Sequence, residues 1–298
     1  MPDPHVGSAD AFIQEQLDER ILEIEKAFSA DVVAFNGPLL IGVDDVLRDA
    51  VEDKSKRQPQ RKKLVVMLTT TGGYIEVVQR IVDTLRRHYD LVSFVVPNYA
   101  YSAGTVLVMS GDEIHMDYYS RLGPIDPQVE INNDRMVPAL GYLERYNALV
   151  QKAQGNNIST AEVQLLIDGF DQAELYQYEQ ARELSIALLK EWLVKYKFKN
   201  WKTTATRKKR VTKQMRTLRA AMIAKELNKT EKWHVHGHGI SMEVLRRDLK
   251  LLIDDFGQNS DLSARIRGYH DLLTDYMAKL RVRGVVHFAG AYRPFMQG

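Results

Sequence analysis

Apolar positions along this chain fall into two textures. Between residues 64 and 116, continuous apolar runs alternate with helical stripes. The run LVVMLTT (64–70) shows no polar alternation, the pattern of a strand buried on both faces. Gly72 and Gly73 interrupt it, and residues 74–88 then place Ile75, Val78, Ile81, Val82 and Leu85 on one helical stripe. LVSFVVP (91–97) is a second apolar strand, and Ser102-Ala103-Gly104 opens a helix that continues through TVLVMSG. Glu113–Met116 is a third strand. Upstream, residues 9–28 read as an amphipathic helix through Phe12, Leu17, Ile21, Ile24 and Phe28, 31–37 as a short strand and turn, and 43–52 as a helix. KSKRQPQRKK (54–63) reads as a polar basic connector.

Strand–helix–strand alternation with fully apolar strands predicts a mainly parallel sheet covered by helices, an α/β class. From about Pro138 the texture changes to long helical patterns, at 138–154, 160–168, 172–198, 207–228, 241–256 and 261–280, with GVVHF (284–288) as a strand-like remnant. The expected organisation is an α/β core over 1–136 with its N-terminal helix. A helical region over 137–298 would partly complete that core and serve oligomerisation. No fixed-period repeat is present.

Composition narrows the chemistry. The chain has 298 residues, 27% charged, with a formal net charge of +2, so nothing global demands a nucleic acid or a membrane. With no cysteine, disulfides, cysteine catalysis and thiolate metal sites are excluded. The first residues lack a basic flank followed by an apolar run, and no apolar stretch approaches the roughly 20 residues of a membrane span. The expectation is a cytoplasmic protein without a membrane anchor.

Three short features carry candidate chemistry. The strand-to-turn sequence Leu68-Thr69-Thr70-Thr71-Gly72-Gly73 ends in paired glycines that expose unshielded backbone N–H groups, and such a pair can form half of an oxyanion hole. Ser102 lies between a buried strand and a helix start, where N–H groups favour negative charge. A plain turn and a helix N-cap explain each of these separately. The third feature, Ser120-Arg121-Leu122-Gly123-Pro124-Ile125-Asp126-Pro127-Gln128, is a turn-rich loop after the Glu113–Met116 strand.

In this order the three features resemble the Clp-protease/signal-peptide-peptidase group of serine peptidases, with a ClpP/crotonase-like fold. The resemblance is nearest to its serine dehydrogenase proteinase branch and covers residues 64–128 best. Lys232-Trp233-His234-Val235-His236-Gly237-His238-Gly239-Ile240 is similar to a histidine-containing segment of that branch. The resemblance implies that Ser102 is the nucleophile and that the N–H groups of Gly73 and Ala103, beside Gly72, form the oxyanion hole. It also implies that Gly123, Pro124, Ile125 and Asp126 line a cleft where an extended polypeptide adds as a strand. It implies a homo-oligomer and no cofactor.

A serine hydroxyl needs an adjacent base. The histidine that Clp proteases carry after the cleft loop is absent, because Ile125 and Asp126 stand there. Signal-peptide peptidases use a lysine from a later helix, and Lys152, beside Leu149, Val150 and Ala153, is the matching candidate. His234, His236 and His238 are further candidates, as a base, as a metal site if extended, or as structural residues; no metal site is assigned. His115 reads as packed. Residues 195–219 are strongly basic around Trp201; a solvated helix face is the plainer reading, with nucleic acid or an acidic partner as the alternative. Two rival functions stay open: an acyl-thioester enzyme of the crotonase type, and a catalytically inactive scaffold of the same fold.

Overall fold

The computed structural model describes residues 9–57, 61–125, 128–131, 135–204, 206–229 and 239–297. Its strands form a seven-stranded sheet at the centre. Strands β1 (Asp31–Asn36), β2 (Lys63–Thr69), β3 (Leu91–Val95) and β5 (Glu113–Met116) are parallel neighbours, alternating with α2 (Val43–Arg57), α3 (Ile75–His88) and α4 (Ala103–Met109). The two-residue β4 (Tyr99–Ala100) precedes α4. Along β2, Leu64, Val66 and Leu68 point into one apolar core while Val65 and Met67 point into the other. That double burial is why the sequence shows no alternation there. Helices α2, α3 and α4 fill the first core, and α1 (Ala9–Phe28) the second.

The second half of the chain returns to this sheet. After β6 (Arg121–Leu122), a hairpin of β7 (Gln128–Ile131) and β8 (Arg135–Pro138) leads into α5 (Ala139–Gln154), α6 (Thr160–Asp168) and α7 (Gln172–Trp192). The start of this helical arm has its own small core of Leu143, Leu175 and Tyr178, with Tyr142, Tyr146 and Phe170 against it. Helix α7 then enters the main core through Leu188, Leu189 and Trp192 and continues as a π-helical turn, Leu193–Lys197. After α8 (Lys213–Leu227) come β9 (Ile240–Ser241), α9 (Met242–Arg247), β10 (Asp254–Asp255) and α10 (Ser260–Leu280). Helix α10 packs on α1. Finally β11 (Val282–Phe288) runs antiparallel to β1, and β12 (Ala291–Gln297) pairs with β11. The strand-like remnant near the end is therefore an interior strand of the main sheet, giving the order β10-β5-β3-β2-β1-β11-β12.

Three sequence expectations need correction. Residues 54–57 are not connector but the last turn of α2. Lys54 there is buried, its Nζ 3.2 Å from Glu25 and 4.0 Å from Asp31, because its aliphatic stem lies along apolar surface and two buried carboxylates take its charge. The expected helix from 207 begins only at Lys213. Before it, Thr203 and Arg210 bridge as a short hairpin, with Thr212 capping α8 through Met215 N–H. The expected helix 241–256 stops at Arg247, and the chain turns to form β10 beside β5. His115 is packed as expected, its ring edge-on to Phe28.

The π-helical turn pushes Lys197 inward, where burial lowers its pKa to about 8 against the pull of Asp254, Glu113 and Asp112. A lysine depressed in the fold is charged at a cost below pH 8. As pH rises from about 8 to its ordinary 10.5, the unfolded chain still binds the proton that the folded chain has lost, so stability rises. Lys197→Met is expected to be more stable than wild type at pH 7, by up to ~3 kcal/mol, because Arg86 and Lys199 still neutralise Asp112. Urea denaturation across pH 7–10.5 checks this: the advantage is expected to shrink with rising pH, and a pH-independent difference would contradict it.

Candidate active site

The site forms where the C-terminal ends of β2 and β3 release their chains on the same side. Past β2, Thr70 pairs with Ala100 of β4: its N–H donates to Tyr99 O at 3.1 Å, and its carbonyl accepts from Tyr101 N–H at 3.0 Å. This bridge holds the glycine turn and the serine turn side by side. Ser102 itself is buried and lies at φ 52°, ψ −122°, outside the regions that a serine occupies without strain. A residue held at a sharp strand-to-helix turn of this kind presents its side chain at the tip of the turn.

Gly72 and Gly73 are required by contact as well as conformation. Gly72, at φ +104°, presses on the serine: an added Cβ would fall 2.8 Å from Ser102 Cβ and 2.9 Å from Tyr101 O. At Gly73, φ +151°, an added Cβ would fall 2.2 Å from Leu39 O. Gly73 forms a parallel bridge with Leu39, closed by Leu39 N–H to Gly72 O (2.9 Å) and Tyr74 N–H to Leu39 O (2.9 Å). Both bonds use groups of residues 72 and 74, so the Gly73 N–H points away from Leu39.

The two glycines differ in what their N–H groups do. Gly72 N–H donates to Thr70 Oγ1 at 3.0 Å. Among the described residues, no acceptor takes the N–H of Gly73 or of Ala103, the first residue of α4; the first helical bonds start from Gly104 and Thr105. Two free N–H groups, one on each turn, therefore flank Ser102. Thr70 contributes twice to this arrangement. Its Oγ1 occupies the Gly72 donor, and its methyl fills the space where a Gly104 Cβ would lie, 2.3 Å away.

A second buried threonine, Thr105, fastens the cleft loop. Its Oγ1 accepts from Gly123 N–H at 2.9 Å and stands 2.8 Å from Ala100 O and 3.0 Å from Gly123 O, which compete for its proton. Gly123 in turn lies so close that a Cβ there would meet Tyr101 Cδ1 at 3.0 Å and Ser102 N at 3.3 Å. Strand β6, leading into this loop, pairs with β4 on one side and β9 on the other. Pro124 and Ile125 are buried, and Ile125 N–H donates to Leu227 O at the end of α8, at 3.1 Å. The N–H groups of Gly123 and Ile125 are thus both spent on the protein, and Pro124 has none. The segment can offer a ligand carbonyls and apolar surface but no backbone donor. Tyr99 and Tyr101 stack at 4.9 Å beside the serine turn, and burial pushes the Tyr101 hydroxyl up.

Ser102, Gly72, Gly73, Ala103, Gly123, Pro124 and Ile125 are thus gathered at one place. Lys152 is placed on the helical arm. Its side chain is half exposed, and its Nζ lies 2.5 Å from Glu162, the residue that closes the capping box of α6. Asp126, His234, His236 and His238 lie outside the described residues. Among the described residues, no cluster of His, Cys, Asp and Glu could hold a metal ion, and no helix is long and apolar enough to cross a membrane. Thr70, Thr105 and Leu39 were not singled out by sequence pattern. A threonine ahead of two glycines, or three residues after a serine, has no periodicity to mark it.

An uncharacterized protein of Methanocaldococcus jannaschii is 26% identical over 125 residues, 42% of this chain and 40% of that protein. A second from the same organism is 35% identical over 71 residues, 24% of this chain and 25% of that protein. The chain thus matches well under half the length of these relatives. Among solved structures, a mutant of the 1510-N membrane-bound stomatin-specific protease aligns over 78% of this chain and 82% of its own, at 12% identity and a TM-score of 0.43. The pattern of one family, the ClpP-like SDH-type serine proteinases, matches residues 40–213, which is more than half of the chain and contains the glycine turn, the Ser102 turn and the 123–125 loop. The chain belongs to the ClpP-like SDH-type serine proteinase family.

Proposed function

We propose that the chain is a serine peptidase in which Ser102 attacks the scissile carbonyl of a polypeptide and forms an acyl-enzyme. The observation that carries this reading is the pair of acceptor-free N–H groups, Gly73 and Ala103, on either side of a strained, buried serine. As Ser102 Oγ bonds to the carbonyl carbon, the carbonyl oxygen gains negative charge. The two N–H groups are the donors for that charge, and preorganised donors stabilise it more than the neutral carbonyl that precedes it. The serine proton passes to a base and then to the leaving amine, and water hydrolyses the ester. Because Ser102 is fully covered, substrate binding opens the site first.

Lys152 is the base in this reading. Its use requires Nζ to leave Glu162 and to reach Ser102 in a desolvated setting, where a lysine gives up its proton near neutral pH. The arm that carries it is also the surface assigned to self-association. None of the described side chains of α6 is buried, and Ile167 is 68% exposed one turn from the exposed Val163, a face suited to packing against a second copy.

Four sets of variants test these statements. A fluorophosphonate probe is expected to label wild type at Ser102 and to leave Ser102→Ala unlabelled; equal casein hydrolysis by the two proteins would contradict the nucleophile. Lys152→Met is expected to lose at least about 10²-fold in kcat. Glu162→Gln is expected to raise kcat/KM, since Nζ no longer has to leave a carboxylate to reach Ser102. Retained activity in Lys152→Met moves the base elsewhere and leaves Ser102 standing.

Thr70→Val keeps the methyl that packs on Gly104 and frees Gly72 N–H. It is expected to lower kcat on the order of ten- to a hundred-fold with KM little changed, while Thr70→Ser recovers most of the rate. Equal rates for the two would mean that Thr70 only packs. In light scattering, Ile167→Glu is expected to lower the mass of the assembly, and an unchanged mass above that of one chain would place the interface elsewhere.

A further inference from the structure

Between Lys195 and Lys225 the chain contains no aspartate or glutamate, and the fold sorts its many cations into two groups. One group is absorbed. Lys195 reaches Glu191, Lys199 is held by Asp112, and Lys197 is half-buried near Asp112, Glu113 and Asp254. The other group is displayed. Lys202, Arg207, Lys208, Lys209, Arg210 and Lys213 are all exposed, and none has a carboxylate within ion-pair distance among the described residues. In the described residues of this hairpin, 202–204 and 206–211, Thr204 N–H donates to Lys209 O (2.9 Å) and Val211 N–H to Lys202 O (2.8 Å). Arg216 Nη2 to Trp201 O (3.0 Å) ties its base to the first turn of α8.

The outer face of α8 continues this surface with apolar residues. Ala220, Ile223, Ala224 and Leu227 face the core. Leu218 and Met222, four residues apart on the opposite face, are 58% and 59% exposed, with Lys225 beside them also exposed. A field of one sign next to two apolar side chains at i, i+4 spacing matches an amphipathic segment of the opposite charge. The same helix ends on the site, since Leu227 O accepts Ile125 N–H.

We infer that the hairpin Lys202–Val211 and the outer face of α8 form a docking surface for an acidic, amphipathic polypeptide segment. Charge complementarity selects an acidic partner, and the remaining chemistry selects a polypeptide. Single-stranded nucleic acid is gripped by exposed aromatic rings, whereas here Phe198 is buried and Trp201 and Tyr196 pack against the core. An interfacial membrane surface would use aromatic residues beside its lysines, and this face has none exposed. The inference does not rest on Ser102 as nucleophile, so its test uses a chain that cannot cleave.

The test is fluorescence anisotropy with full-length Ser102→Ala and a labelled helical peptide of Glu, Ala and Leu, with Leu at i, i+4 spacing. The same peptide with Lys for Glu, an oligothymidylate, and phosphatidylserine vesicles are run alongside. The acidic peptide is expected to bind tightest and to weaken at least about ten-fold between roughly 50 and 300 mM salt. Reversing Arg207, Lys208, Lys209 and Arg210 to Glu is expected to abolish that salt dependence and most of the binding. Leu218→Ser with Met222→Ser is expected to weaken binding at every salt concentration. These substitutions are all at exposed positions, and circular dichroism of each variant verifies the fold. Unchanged binding in the charge-reversed chain, equal binding of the Lys peptide, or tighter binding of the oligothymidylate or the vesicles would overturn the proposal.

Discussion

The geometry of the candidate site depends on one close approach: the glycine turn after β2 lies against the serine turn after β4, with no room for a Cβ at Gly72 or Gly73. The Thr70–Ala100 bridge brings these turns together, and the Leu39–Gly73 bridge fixes the first of them from the far side. Side chains between the two turns would push them apart and separate the two free N–H groups. The strain at Ser102 belongs to the same constraint, because a serine in an ordinary backbone conformation would not sit at the tip of so tight a turn. Such strain persists only when the surroundings over-determine it, and here the doubly packed sheet and the Thr105 contact to Gly123 do so.

Much of the core was legible in the sequence because its strands are buried on both faces. LVVMLTT is buried throughout and LVSFVVP everywhere but Leu91, so an apolar run followed by a helical stripe reads as a covered parallel strand. The glycine turn and the Ser102 turn, each explicable alone as a plain turn and a helix cap, were legible through their order and the family it resembles. The second half was less legible. β11 is interior, but its partner β1 lies some 250 residues away, and no local pattern announces so distant a pairing. Residues 207–211 were read as helix because lysine and arginine favour helices by propensity, and a hairpin bridge overrode that weak preference. Lys54 was read as solvated because burial of a lysine depends on the two acids it meets, and Glu25 and Asp31 come from other elements.

The sequence singles out the backbone turns that the fold gathers at Ser102, but not the threonine hydroxyls that hold them there. Thr70 and Thr105 act through single hydroxyls whose partners come from neighbouring turns, and that arrangement exists only in three dimensions. The helical arm has the opposite character. Its own core is small, its α6 face is open, and its Lys152–Glu162 pair is held at the surface. The main sheet thus supplies a frame for Ser102 and the Gly73 and Ala103 N–H groups, whereas the start of the arm packs on its own small core.

The central claim is that Ser102 is a nucleophile served by the Gly73 and Ala103 N–H groups. A crystal structure of the chain soaked with a peptide aldehyde tests it most directly. The expected result is a covalent bond from Ser102 Oγ to the aldehyde carbon, with the resulting oxygen about 3 Å from both nitrogens. An adduct on another residue, or one on Ser102 whose oxygen turns away from those two N–H groups, would contradict it.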